Sequence, residues 1–80
     1  MNQPHPSPSD FGERVRQARK AQDLRQDQLA GAAGVGLRFI VDLEAGKPTI
    51  QLGKTLKVLA ALGCRVTIAG PPGLELEGRP

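Results

Sequence analysis

Apolar positions recur at helical spacing along most of this 80-residue chain. Phe11, Val15, Ala18 and Gln22 fall at i, i+4, i+7 and i+11, the buried stripe of a first helix. Asp10, with Glu13 three residues on, supplies a capping box for its start. Asp23-Leu24 turns the chain into a second helix, with Leu29, Ala30 and Ala33 on one face and Gln26, Asp27 and Gln28 on the other. Gly34 stands where a helix end calls for a left-handed residue. Val35 plugs the turn, and a third helix begins at Leu37, with Ile40 and Leu43 spaced i, i+3 and Gly46 closing it. Small Ala30, Ala32 and Ala33 permit two helices to cross closely.

The remaining pattern predicts one more helix and one strand. Lys47-Pro48-Thr49 is a loop, because Pro48 disfavours helix in the residue before it, and Thr49 is placed to cap a fourth helix. Leu52, Leu56, Leu59 and Leu62 form the apolar face of that helix, widened by Thr55 and Val58 and ended by Gly63. The face is wider than a small core needs, so a second subunit is expected to cover part of it. From Cys64 to Ala69 the period changes to two, with Val66 and Ile68 on one side and Arg65 and Thr67 on the other. A strand alone in a helical chain leaves a costly open edge. Pairing with the same strand of a second copy closes it and builds a two-fold dimer.

The expected architecture is therefore an all-α helix-turn-helix domain of four to five helices, with a short C-terminal strand paired across a homodimer. Residues 1–9 are expected to be a disordered Pro/Ser leader, 10–63 the helical domain, 64–69 the dimerisation strand and 70–80 a flexible tail. Leu24 to Gly46, two short helices around a tight turn, is the arrangement that places a recognition helix in the DNA major groove.

Composition narrows the choice. A chain this short buries only about 60% of its unfolded surface and needs a supplement to its core. One Cys and one His make no metal set, and a lone Cys64 makes no intrachain disulfide, which fits a reducing cytoplasm. No apolar run approaches the roughly 20 residues of a membrane span, and the Pro/Ser-rich stretch at residues 1–9 shows no apolar signal core, so no export signal is expected. No carboxylate pair or nucleophile–base set is placed by any motif, so neither catalysis nor a cofactor is expected. Oligomerisation remains as the supplement. Residues 10–69 carry ten basic and six acidic side chains, the sign of balance a phosphate-binding surface requires.

Positions Asp10 to Leu62 resemble the Cro/C1-type (Xre) helix-turn-helix domain of phage repressors and bacterial regulators. The continuation GKPTIQLGKTLKVLAALGCRVTI resembles the narrower HipB-type antitoxins of toxin–antitoxin pairs, which append a strand that pairs across the dimer. The resemblance implies that Gln26 contacts a DNA phosphate and braces the recognition helix. It also implies that Leu37, Arg38 and Asp42 face base edges, and that Arg19 and Glu44 bridge the first helix to the end of the third. Arg38 has a physical case of its own, since a guanidinium grips guanine O6 and N7 bidentately.

Asp42 near phosphate is repelled unless it accepts from a cytosine amine or orients Arg38; the orienting role is the favoured one. Leu37 either meets a thymine methyl or flanks the groove, and Phe39 either packs on DNA or belongs to the core edge. Arg25 stands in place of the usual Ser/Thr cap and sets a cation beside the phosphate path. Lys47 is similarly placed, and Gln28 is grouped with these DNA-facing residues. Cys64, Val66 and Ile68 are the dimerisation candidates; for Cys64 a small buried hydrophobe is favoured over an intermolecular disulfide.

These expectations converge on a dimeric repressor that binds a palindromic double-stranded operator. The resemblance adds a HipA-like serine/threonine kinase toxin as partner. A stand-alone phage-type repressor and a protein-interaction module on the same scaffold are the alternatives.

Overall fold

Ser7, one turn earlier than expected, starts the first helix of the computed structural model, which describes residues 7–71 and the backbone of 75–78. The Ser7 hydroxyl accepts from the Asp10 N–H at 3.1 Å, and the Asp10 carboxylate accepts in return from the Ser7 N–H at 3.4 Å. Pro8 occupies the first helical position, where its missing N–H costs nothing and its φ is already helical. The expected Asp10–Glu13 box is thereby corrected: Asp10 is the third residue of the box, and Glu13 pairs with Arg16 and Gln17 on the helix surface. Of the expected leader, Ser7 caps the helix, residues 8–9 belong to it, and 1–6 lie outside the described residues.

Four helices run in order: α1 (Pro8–Ala21), α2 (Gln26–Ala33), α3 (Leu37–Glu44) and α4 (Leu52–Ala61). Each stops against a residue with positive φ: Asp23, Gly34, Gly46 and Gly63. At each stop the next residue's N–H reaches back to a carbonyl five residues earlier. The bonds are Leu24 to Arg19 (3.2 Å), Val35 to Ala30 (3.0 Å), Lys47 to Asp42 (3.0 Å) and Cys64 to Leu59 (2.8 Å). This double-bonded stop satisfies carbonyls a helix end would orphan, and it ordinarily packs an apolar residue just past the stop. Leu24, Val35 and Cys64 follow that rule and rest against the core. Lys47 breaks it.

The core is built from Val15, Leu29, Ala30, Ile40, Leu43, Val58, Leu59 and Leu62, with Leu29, Ile40 and Val58 wholly enclosed. Each large side chain among them contributes about 1.5–3 kcal/mol by leaving water. α3 packs on α1 and α2, and α4 packs on α2. The face that α4 buries is turned from the expected one. Thr55, Val58, Leu59 and Leu62 point inward, while Leu52 stays 69% exposed and Leu56 36%. Thr55 tolerates burial because its hydroxyl donates to the Gln51 carbonyl at 2.9 Å. Gln51, not Thr49, caps this helix, its side-chain oxygen accepting from the Lys54 N–H at 2.7 Å.

The C-terminal strand finds its partner in its own chain. β1 (Val66–Ala69) pairs antiparallel with β2 (Glu75–Gly78), Val66 opposite Gly78 and Ala69 opposite Glu75. Two expectations are thus corrected: β1 does not depend on a second copy for its first partner, and the expected flexible tail contains a strand. Leu74-Glu75-Leu76-Glu77 alternates with period two, which is strand patterning inside a segment whose Gly and Pro content reads as a tail. Ile68 of β1 is 58% exposed.

Candidate nucleic-acid interface

α3 has an anchored inner side and an open outer side. Ile40 and Leu43 are buried in the core, while Leu37 and Arg38 are exposed and Val41 and Asp42 half-buried. Val41, one turn beyond Leu37, lies on the outer stripe, although no sequence pattern singles it out.

Glu44 is held from behind. Its carboxylate accepts from Arg19 twice, at 2.6 Å from Nε and 2.9 Å from Nη2. Arg19 also donates through Nη1 to the Leu24 carbonyl at 2.7 Å, and the Gln26 carboxamide donates to Glu44 at 3.2 Å. The Arg19 and Glu44 side chains are only 10% and 4% exposed. The hydrogen bond to Glu44, aided by the charge on that carboxylate and opposed by burial, raises the guanidinium pKa above its ordinary value. Three helices meet at this one ion pair: α1 through Arg19, α2 through Gln26, α3 through Glu44. Gln26 keeps a second N–H that can donate outward.

Backbone contact completes the support. A methyl on Gly12 would lie 2.4 Å from the Leu43 carbonyl oxygen and 2.8 Å from that of Glu44, so α1 and the end of α3 touch main chain to main chain. Gly12 is a site residue that the apolar pattern does not reveal; its signal is a glycine inside a helical stripe with no capping role. Gly46, at φ +82°, is tied down twice, since a methyl there would also strike Ser9 at 2.8–3.0 Å.

The outward charges form a second group. Asp42 approaches Arg38 Nε at 3.2 Å with one oxygen and Lys47 Nζ at 3.7 Å with the other. Arg25 begins α2 without a side-chain cap; Gln28 substitutes in part, its oxygen accepting from the Arg25 N–H at 2.8 Å. Arg25 itself pairs with Asp27 at 3.1 Å, and that bond holds the Asp27 carboxyl below the ordinary carboxylate range. Phe39 rests on the core edge with the Lys54 ammonium 5.9 Å over its ring.

A profile described as helix-turn-helix matches residues 15–68. The chain is also 66% identical over 65 residues to the HTH-type transcriptional regulator y4mF of Sinorhizobium fredii, covering 81% of this chain and 86% of that one. The chain belongs to the helix-turn-helix family of transcriptional regulators.

Solved structures agree with that placement. The restriction-modification controller protein C.AhdI of Aeromonas hydrophila is 32% identical, with a TM-score of 0.66 over 71% of this chain and 86% of that one. A chain of a HipA–HipB–O2–O3 complex is 21% identical, with a TM-score of 0.76 over 88% of this chain and 99% of that one, a likeness of fold. As a helix-turn-helix regulator, the protein is DNA-binding rather than catalytic. Among the described residues of this helix-turn-helix regulator, no helix is long and apolar enough to cross a membrane. Cys64 is a half-buried free thiol packed against the core.

Proposed function

We propose that this regulator is a dimeric repressor that reads a palindromic operator through α3, with Leu37, Arg38 and Asp42 at base edges. On this reading Arg25, Gln26, Gln28 and Lys47 lie along the phosphates. The observation that carries the reading is the two-sided build of α3: an exposed Leu37–Arg38 stripe backed by the buried Arg19–Glu44 pair. A helix fixed from behind presents its outer side chains without further ordering cost, as base recognition requires.

The test is fluorescence anisotropy with the DNA upstream of its own gene against a scrambled duplex, over a salt series. The upstream DNA should bind in the nanomolar range and well above the scrambled one. Arg38→Ala should lose about 1–3 kcal/mol on it, roughly a fivefold to 150-fold loss, with little change on scrambled DNA. Equal binding of wild-type protein to both duplexes would sink the operator reading. One observation favours the interaction-module alternative, the 49% exposure of Leu37 on the same stripe; that reading expects Arg38→Ala to leave function intact.

Dimerisation through the C-terminal hairpin is part of the proposal. Exposed Leu52, Leu56 and Ile68 supply apolar surface, and an outer edge of the two-stranded sheet can add the hairpin of a second copy, as marginal hairpins require further strands for stability. A chain ending at Gly63 should therefore sediment as a monomer and bind the operator more weakly. An unchanged dimer would remove the hairpin from the interface.

We further propose a HipA-like kinase toxin as protein partner. Support comes from the residue pattern of 46–68 and the fold likeness to the chain of the HipA–HipB complex. Co-purification with a kinase-like protein encoded beside it tests this, and failure to associate would leave a stand-alone repressor.

A further inference from the structure

α3 carries two carboxylates with opposite fates. Glu44 turns inward to Arg19, whereas Asp42 keeps its side chain 22% exposed between two cations. One oxygen of Asp42 meets Arg38 Nε at 3.2 Å, and the other meets Lys47 Nζ at 3.7 Å. The arrangement is built by backbone. Gly46 at φ +82° turns the chain so that the Lys47 N–H bonds the carbonyl of Asp42 itself at 3.0 Å. The residues in the equivalent position after the other three helices, Leu24, Val35 and Cys64, lie on the core. Only after α3 is the apolar contact of the helix stop replaced by an ionic one, between Asp42 and Lys47.

We propose that Asp42 is a selectivity residue, its carboxylate holding Arg38 and Lys47 as an internal stand-in for phosphate so that DNA lacking the matching base competes poorly for them. The inference rests on the reading of α3 as the base-contacting helix. A phosphate that meets the outer donors of the two cations comes to rest beside the Asp42 carboxylate, where like charges repel, or else displaces that carboxylate and leaves it unpaired. A guanine faces no such contest. Asp42 touches Arg38 at Nε, and the two terminal amino groups of this 84% exposed side chain can meet O6 and N7 while Nε stays where it is. The matched complex keeps the Arg38–Asp42 pair without that repulsion, whereas the unmatched complex either bears it or breaks the pair.

Asp42→Asn in the full chain tests this, titrated against the upstream DNA and a scrambled duplex of equal length across a salt series. Affinity for scrambled DNA should rise about tenfold at low salt. The log–log salt slope on that DNA should steepen by about one to two, since each added phosphate contact contributes about 0.9. Upstream DNA should gain far less, so discrimination falls about tenfold. Glu13→Gln, which removes the same charge from α1, should leave discrimination unchanged.

A double-mutant cycle supplies an independent readout. Lys47→Gln should change scrambled binding little in the wild-type background and reduce it several-fold in Asp42→Asn. Equal gains on both duplexes, an equal effect of Glu13→Gln, or additive behaviour of the cycle would each overturn the proposal. Wild-type protein that prefers neither duplex would instead overturn the operator reading, and this role with it.

Discussion

Glu44→Ala is expected to destabilise the domain by about 3–5 kcal/mol, the cost of removing one partner from a buried ion pair. Arg19, 8% exposed, would keep its charge and lose both hydrogen bonds to the carboxylate. No accessible pH relieves it. In the intact protein Glu44 raises the folded-state pKa of Arg19, so the guanidinium's contribution is present below the ordinary arginine value and fades as pH climbs beyond it. A domain of this length holds roughly 4–12 kcal/mol in all. At about 4–8 °C per kcal/mol, the melting temperature should fall by roughly 12–40 °C. Circular dichroism melts check this, and a shift of only a few degrees would mean that the pair does not anchor α3.

A double replacement separates stability from placement. Arg19→Met with Glu44→Leu removes both charges together, and such swaps are often neutral or stabilising. Stability should largely return while operator binding does not, because Gln26 loses the carboxylate that ties it to the end of α3 and the Leu24 carbonyl loses its bond from Arg19 of α1.

Gly12→Ala should be disruptive through a different mechanism, with a smaller loss of stability. Alanine is the better helix former by about 1 kcal/mol, so propensity alone would stabilise α1. The added methyl, however, would lie 2.4 Å and 2.8 Å from two carbonyl oxygens of α3, atoms that cannot rotate away. Overpacking of this kind costs about 1–3 kcal/mol, occasionally more, which offsets or exceeds what propensity returns. The operator-binding loss should exceed the stability loss, since relief of the clash moves the end of α3 that carries Asp42 and Glu44. Gly31→Ala is the control, with nothing within 4 Å of the added methyl; it should raise stability by up to about 1 kcal/mol. If both variants melt alike, close main-chain contact does not set the position of α3.

The sequence displays α2, the turn and α3 almost completely, because there one residue type does one job: Gly34 stops a helix, Val35 plugs a turn, Ile40 and Leu43 face the core. It misleads where a residue can do two. Asp10 can open a capping box or close one, and Ser7 with Pro8 decides for closing. Leucine counting favours Leu52 and Leu56 on α4, yet the face at 55, 58, 59 and 62 is the better helical stripe, and a hydroxyl bonded to its own helix is cheap to bury.

The Arg19–Glu44 bridge is legible only through family resemblance, since 25 residues of separation leave no local trace. Gly12 leaves a visible trace, a glycine where the stripe continues on both sides, but its partner is backbone and so carries no side-chain signature. β2 is legible in the alternation of 74–77 and is hidden by the surrounding Gly and Pro.

The division of α3 into an anchored side and an open side bears on how such a protein acquires a new target. Leu37 and Arg38 stand outside the core, so exchanging them costs the scaffold little. If α3 reads bases as proposed, a copy made by gene duplication could change its address in the genome by a handful of substitutions on one stripe, while Gly12, Arg19 and Glu44 keep α3 in place.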